Sequence, residues 1–77
     1  MAGQDWMNQG DERRRDIVRF IRAFTKKNDY APTQREIAEA VGLYKNGVAY
    51  HLDVLEKQGK IKTTPGKARS IRVVAKK

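Results

Sequence analysis

Two short helical patterns joined around Gly42 constrain the fold of this chain more than any other feature of its sequence. Thr33 and Glu36 begin the first pattern with the spacing of a capping box, in which each side chain accepts a hydrogen bond from the other residue's backbone amide. An apolar run follows, and a glycine then stands where many helices end. We therefore predict a short helix from Thr33 to Val41.

The second pattern covers residues 45–58 and predicts a longer helix. Val48, Leu52 and Leu55 recur at helical spacing and form one apolar face, and Gly59 follows the last turn. Two short helices joined by a tight turn, the second more polar on its outer face, are typical of a helix-turn-helix.

An amphipathic first helix is predicted from Asp11 to Lys27, with an apolar stripe at Ile17, Phe20, Ile21 and Phe24. Arg13 to Arg15 lie off this stripe, and they either contact a DNA backbone or form a solvated face. Residues 1–10, with the exception of Trp6 and Met7, are small, polar and aperiodic, and we expect them to form a flexible arm ahead of one domain at 11–75.

After Gly59 the pattern changes to a hairpin over residues 60–74, which we call the wing. Its two β-prone stretches flank a turn at 65–69. A lone hairpin is only marginally stable in water, so we expect its apolar residues to pack onto the helices. These are Ile61, Ile71 and Val73. Residues 30–32 are a candidate third strand. The predicted class is α+β, a three-helix winged helix-turn-helix with a two- or three-stranded antiparallel wing.

Composition excludes several kinds of site. The 77 residues contain no cysteine and one histidine, so we expect no metal and no cofactor. That histidine, His51, borders the apolar face of the third helix, and we interpret it as a half-buried structural residue. Neither paired carboxylates nor a nucleophile–base pair is visible, so we expect no enzyme and no small-molecule substrate. No apolar run is long enough to span a membrane, and the expected location is the cytoplasm, at the nucleoid.

Positive charge is concentrated at the end of the chain. The net charge is +8, and residues 56–77 hold eight basic residues against one acidic residue. A concentrated basic surface attracts polyanions through long-range electrostatics and counterion release. Nucleic acid is the polyanion that we expect. An anionic membrane would favour a basic amphipathic helix, which this segment does not resemble.

Residues 30–74 resemble the N-terminal DNA-binding domain of the LexA family of bacterial repressors. The matching segments are Tyr-Ala-Pro-Thr-Gln-Arg-Glu-Ile-Ala-Glu-Ala-Val-Gly-Leu at 30–43, Val-Ala-Tyr-His-Leu at 48–52 and Leu-Glu-Lys-Gln-Gly-Lys-Ile at 55–61. In that family a proline–threonine pair leads into the second helix, and a glycine ends it. The resemblance implies a winged helix-turn-helix that binds duplex DNA and represses transcription.

Two features depart from the family pattern. The stretch from Gly42 to His51 is one residue shorter than in typical members, and Tyr44 and Lys45 stand where small serine-rich residues are common. We therefore expect a DNA sequence preference different from that of the family. The family's peptidase domain, with its serine–lysine pair, has no counterpart in these residues, so we expect neither self-cleavage nor the usual dimer interface.

The exposed face of the third helix is the main candidate site, because the second helix of a helix-turn-helix inserts its N-terminal part into the major groove. Asn46 can pair with adenine, and Lys45 can reach guanine or a phosphate. Ala49 or Tyr50 can contact a thymine methyl group. The start of the second helix and the wing are candidates for the DNA backbone. The predicted DNA contacts are Gln34, Arg35, Tyr44, Lys45, Asn46, Ala49, Tyr50, Lys62, Lys67 and Arg69. The alternative for each is an ordinary solvated surface.

These observations predict a sequence-specific regulator of transcription that binds double-stranded DNA. Helix 45–58 would occupy the major groove, and the basic part of the wing, 62–72, the backbone or the minor groove. A homodimer on a palindromic site is a further expectation. Two alternatives remain open, a winged-helix module that binds protein and a nucleic-acid binder without sequence preference that serves replication or packaging.

Overall fold

The computed structural model describes residues 2–74, and it describes side chains from Glu12 to Val74. The elements are α1 (Ala2–Asn28), α2 (Gln34–Val41), α3 (Lys45–Lys57), β1 (Ile61–Lys62) and β2 (Arg72–Val73). The two strands pair antiparallel, with Ile61 opposite Val73 and Lys62 opposite Arg72. Three helices followed by a two-stranded wing confirm the predicted α+β class.

The first helix begins earlier than the sequence pattern predicts. α1 starts at Ala2, so residues 2–10, which we expected to form a flexible arm, continue the helix. No proline interrupts this stretch, and a glycine within a helix costs only about 1 kcal/mol, so the sequence does not exclude helix there. Asp29 adopts a left-handed φ of 64° and takes the chain out of the helix, close to the predicted end. Among residues 2–74, no helix combines the length and the apolar composition that a membrane span requires.

Both halves of the predicted capping box are present at the start of α2. The Glu36 amide donates to the Thr33 hydroxyl at 3.1 Å, and the Thr33 amide donates to a Glu36 carboxylate oxygen at 2.8 Å. At the other end, Gly42 has a left-handed φ of 74°, and its amide donates to the Ala38 carbonyl at 3.0 Å. Because a side chain would be strained in this conformation, the helix ends at a glycine.

One apolar core joins the three helices and the wing. Its buried members are Ile17, Ile21, Ile37, Ala38, Val48, Leu52, Leu55, Ile61 and Ile71. The predicted apolar face of α3 is therefore confirmed in full, while on α1 the two isoleucines are buried and Phe20 is only partly buried against them. Burying a large aliphatic side chain contributes about 1.5–3 kcal/mol, so this core fixes the angle of α3 against α1 and α2.

The wing depends on the helices for its position. Ile61 and Ile71 are buried in the core and Val73 packs against it, as predicted. Between the strands, the Ser70 hydroxyl accepts from the Thr64 amide at 2.9 Å and so closes the turn. Of the two wings that the sequence allows, the structure has the two-stranded one, and residues 30–32 form no strand. The Ala31 carbonyl instead accepts a hydrogen bond from the Arg69 guanidinium at 2.9 Å, so it has a side-chain donor rather than a strand partner.

Candidate nucleic-acid interface

The outer face of α3 carries the residues that were predicted to contact bases. Asn46 and Tyr50 lie one helical turn apart and share a face, with Ala49 beside them. All three are exposed, and Tyr50 exposes 63% of its surface. This face therefore presents an amide, a methyl group and an aromatic ring to any partner that approaches α3 from outside.

Tyr44 and Lys45 lie at the beginning of α3. Tyr44 is the N-cap residue, and its side chain makes no capping hydrogen bond because a phenol ring cannot fold back as serine or aspartate does. The ring is 87% exposed instead. The start of α3 therefore has neither a capping side chain nor an acidic residue in its first turn, and both features leave it open to an anion.

A groove between α3, the start of α2 and the wing brings the predicted contacts together. It has a volume of about 520 Å³, and five predicted contacts line it, namely Gln34, Arg35, Lys45, Ala49 and Lys67. A neighbouring concave surface is lined by Gln34, Tyr44, Lys45, Asn46 and Ala49. Because the two share three residues, they form one continuous surface that holds seven of the ten predicted contacts.

The other three predicted contacts lie elsewhere. Tyr50 is on the same face of α3 but lines neither concave surface, and its ring packs edge-on against His51 with 5.3 Å between centroids. Lys62 is exposed on β1, outside the groove. Arg69 is bonded to the start of α2, as described below.

Carboxylates moderate the charge of the groove. Asp53 and Glu56 line it together with the basic residues, and Asp53 pairs with Lys57 on its own helix at 3.2 Å. Arg35 pairs with Glu39 at 3.5 Å, and both side chains are largely exposed. Exposed pairs of this kind contribute little, about 0–1 kcal/mol, so a phosphate can compete for Arg35. No cluster of three or more potential metal ligands occurs among the described residues.

Arg69 ties the wing to the start of α2, and sequence reasoning missed this contact. Its two terminal nitrogens donate to the two Glu36 oxygens at 2.9 and 3.1 Å. The guanidinium carbon also lies 4.8 Å from the centre of the Tyr30 ring. We call these contacts, together with the bond to the Ala31 carbonyl, the Arg69 clamp. A forked pair is geometrically specific, so the clamp sets the position of the wing beside α3.

Glu36 serves the capping box and the clamp at once. The hydrogen bond from Arg69 is the main reason why the pKa of the Glu36 carboxyl lies below its ordinary value of 4.5, and the bond from the Thr33 amide adds to the effect. The same pairing raises the pKa of Arg69. One ionised carboxylate therefore stabilises the first turn of α2 and holds the wing.

Two of the α1 arginines contact the other helices. Arg13 donates to the Val41 carbonyl at 2.8 Å, and an Arg14 nitrogen lies 3.1 Å from Nδ1 of His51. His51 is half-buried, as expected, and burial is the main reason why its pKa lies below 6.5, with the charges of Arg14 and then Arg13 adding to the effect. A neutral imidazole can accept a hydrogen bond from Arg14, so this contact joins α1 to α3.

The model of the LexA DNA-binding domain family matches residues 7–70. The chain belongs to this family. It is similar to the LexA repressor of Thermotoga petrophila, with 44% identity over 62 residues that cover 80% of this chain and 32% of that protein. It is also similar to the LexA repressor of Bacillus subtilis, with 42% identity over 69 residues that cover 88% of this chain and 34% of that protein.

The chain therefore corresponds to about a third of the length of these repressors, 32% and 34% in the two cases. Among solved structures it resembles the Zalpha domain of Carassius auratus PKZ in complex with Z-DNA, with a TM-score of 0.67. That match has 21% sequence identity and covers 86% of this chain and 98% of the other. A likeness at this identity shows a common fold.

Proposed function

We propose that this LexA-family domain binds double-stranded DNA at specific sequences and serves as the DNA-binding part of a bacterial transcriptional repressor in the cytoplasm. The observation that carries the proposal is the continuous surface formed by the outer face of α3 and the groove beside it. Most of the polar and basic residues that could read or hold DNA lie on this one surface.

In this proposal the first turns of α3 read bases in the major groove. Asn46 donates to and accepts from an adenine edge, and Ala49 or Tyr50 contacts a thymine methyl group. Tyr44 and Lys45 approach the major groove of the DNA from the N-terminus of the helix. Because the stretch from Gly42 to His51 is one residue shorter than in typical LexA proteins, we propose that the preferred operator differs from theirs.

Contacts with the phosphate backbone flank the reading helix. Gln34 and Arg35 stand in the first turn of α2, where the helix dipole and the first amides favour an anion. Lys62 and Lys67 supply positive charge from the wing. Arg69 contributes by holding the wing in place through Glu36, whose carboxylate offsets its charge.

One domain of this kind covers only a half-site, so we propose that two copies bind a palindromic operator. The two-fold symmetry of such a dimer would appear as two half-sites at a fixed spacing, about one helical turn or a multiple of it.

Selection of bound duplexes from a random pool tests the proposal directly. We expect a recurring sequence that the protein prefers over random duplex by about 10³-fold or more. Asn46→Ala should reduce this ratio, because a good bidentate base contact contributes about 1–3 kcal/mol of discrimination. Tyr50→Ala should reduce it as well.

Lys67→Ala is the matched control, because Lys67 lines the groove but is proposed to contact phosphate. It should weaken binding to every duplex equally. It should also reduce the slope of log K against log salt concentration by about one unit. If Asn46→Ala also weakens all duplexes equally, the domain binds DNA without sequence preference, and the proposed readout by α3 is wrong.

A further inference from the structure

A second basic surface lies on the opposite flank of α3 from the groove. It is a cleft of about 420 Å³ between α1 and the end of α3, lined by Arg14, Arg15, Val18, Arg19, Arg22, Leu55, Gln58 and Lys60. None of these residues lines the groove beside the wing. Gln58 follows Ala49 by nine positions, which at about 100° per residue turns it to the other side of the helix axis. The cleft is therefore separate from the surface proposed to bind DNA.

The lining of the cleft carries a net positive charge. Five of its lining residues are basic and none is acidic. Arg14 is engaged with His51, but the side chains of Arg15, Arg19, Arg22 and Lys60 are exposed and make no ion pair or hydrogen bond among the residues whose side chains are described. By contrast, the basic residues Arg35, Lys57 and Arg69 each pair with a carboxylate. The fold pairs none of these four exposed charges, and the three arginines among them repel one another along α1.

The lining of the cleft also has an apolar part, and this distinguishes between anionic partners. Val18 is half-buried and contributes to the lining with Leu55, while the arginines and Lys60 surround them. A phosphodiester backbone gains nothing from an aliphatic surface. An acidic peptide that alternates carboxylates with an aliphatic side chain satisfies both parts, because arginine forks bind carboxylates and the aliphatic group covers Val18.

We propose that the cleft between α1 and α3 binds an acidic peptide segment of a second protein, independently of DNA. Such a segment would approach the domain from the side of α3 that faces away from the groove. The domain could then hold a protein partner while it is bound to its operator, and this part of the inference rests on the proposed function.

The test is fluorescence anisotropy with a labelled peptide in which two leucines are flanked by glutamates. The triple variant Arg19→Gln, Arg22→Gln, Lys60→Gln should raise the Kd for this peptide about tenfold, the combined effect of three exposed ion pairs. It should change the Kd for duplex DNA by less than about threefold, since none of these side chains lines the groove. A peptide with serines in place of the leucines should bind more weakly than the original.

The matched control removes the same amount of charge from the other surface. The triple variant Lys45→Gln, Lys62→Gln, Lys67→Gln should weaken DNA binding and leave peptide binding nearly unchanged. If both triple variants weaken the peptide equally, the attraction is a general effect of the net charge of +8 and the proposal is wrong. If the triple variant of the cleft weakens DNA binding as much as peptide binding, the cleft is part of the DNA surface, and the proposal is equally overturned.

Amide chemical shifts of the unmodified protein give a second measurement that does not depend on how the variants fold. Adding the peptide should shift amides at 14–22 and 58–60 and leave those at 44–50 and 62–69 unchanged. The reverse pattern would contradict the proposal. Because this titration contains no DNA, its result is independent of whether the domain proves to be a sequence-specific repressor.

Discussion

The three-helix body and the wing are stabilised by different kinds of contact. In the body, buried aliphatic side chains from α1, α2 and α3 pack against one another, and Ile17, Ile37 and Val48 have no exposed surface. In the wing, two strands of two residues each pair across the nine-residue connection 63–71. The wing reaches the core through Ile61 and Ile71, with Val73 packed against it, and its polar contacts with the helices include the Arg69 clamp.

This difference matters because the proposed DNA surface spans both regions. Lys45 and Ala49 belong to the body, whereas Lys67 belongs to the wing, and all three line the same groove. Apolar packing is insensitive to salt and to mild changes of pH, but an exposed ion pair responds to both. The geometry of the groove therefore depends in part on the clamp, which helps to hold its wing side.

The largest effect is expected from a cavity in the body. Ile37→Ala removes a side chain with no exposed surface and should lower the free energy of unfolding by about 2–5 kcal/mol. A folded domain is stabilised by only about 0.05–0.15 kcal/mol per residue, so this loss is a large share of the free energy of unfolding of so small a domain. Urea unfolding followed by circular dichroism measures the loss.

Glu39→Ala is the control for this variant, because the residue is on the same helix with its side chain 70% exposed. It should change the free energy of unfolding by less than about 0.5 kcal/mol. Equal effects of the two substitutions would mean that α2 does not depend on its apolar face, and the distinction between body and wing would fail.

Sequence reasoning predicted the body well because its determinants are local. The spacing of Val48, Leu52 and Leu55 and the Thr33–Glu36 capping box are legible within one or two helical turns. The same pattern predicted the candidate contact residues on α3, since they occupy the exposed positions opposite its apolar face. The early start of α1 was missed because residues 2–10 have no apolar stripe to mark a helix.

The wing was predicted less completely, because its position depends on a contact between distant residues. Arg69 and Glu36 are separated by 33 residues, and no spacing in the sequence joins them. Each also had a sufficient local explanation, Glu36 as the partner of Thr33 and Arg69 as one basic residue in a basic segment. The second role of Glu36, as the partner of Arg69, can be recognised only in the folded structure.

A smaller effect, confined to the wing, is expected from Glu36→Gln. Glutamine can still accept the hydrogen bond from the Thr33 amide and complete the capping box, but it loses the ionic fork with Arg69. Amide hydrogen exchange should therefore speed up in the wing, including at Val74, whose amide donates to the Lys60 carbonyl at 2.9 Å. The amides of α1 and α3 should keep their protection.

Glu36→Ala is the comparison variant for this experiment, because it removes the cap and the clamp together. It should increase exchange at the start of α2 as well as in the wing. Affinity for DNA should fall for both variants and for all sequences alike, since the wing is proposed to contact the backbone. Unchanged exchange in the wing of Glu36→Gln would show that Ile61 and Ile71 hold it alone.

The smallest effect is expected from mild acid. Mild acid should weaken a contact in the three-helix body and leave the clamp of the wing intact. His51 has its pKa lowered from 6.5 in the folded state, so the unfolded chain binds its proton first as the pH falls. The contribution of His51 to stability is thus fully present above 6.5 and is lost as the pH falls toward the folded-state pKa. Glu36 has its pKa lowered from 4.5, so its contribution is lost only at pH values below that.

Lowering the pH from about 7.5 to 5.5 should therefore weaken the α1–α3 contact at His51 while the Arg69 clamp stays ionised. The thermal midpoint should fall modestly over this range in the unmodified protein. In His51→Gln, which keeps a hydrogen-bond acceptor for Arg14 but does not titrate, the midpoint should change less. If the two proteins lose the same number of degrees, the acid sensitivity lies outside His51, and the body has no polar contact that mild acid can break.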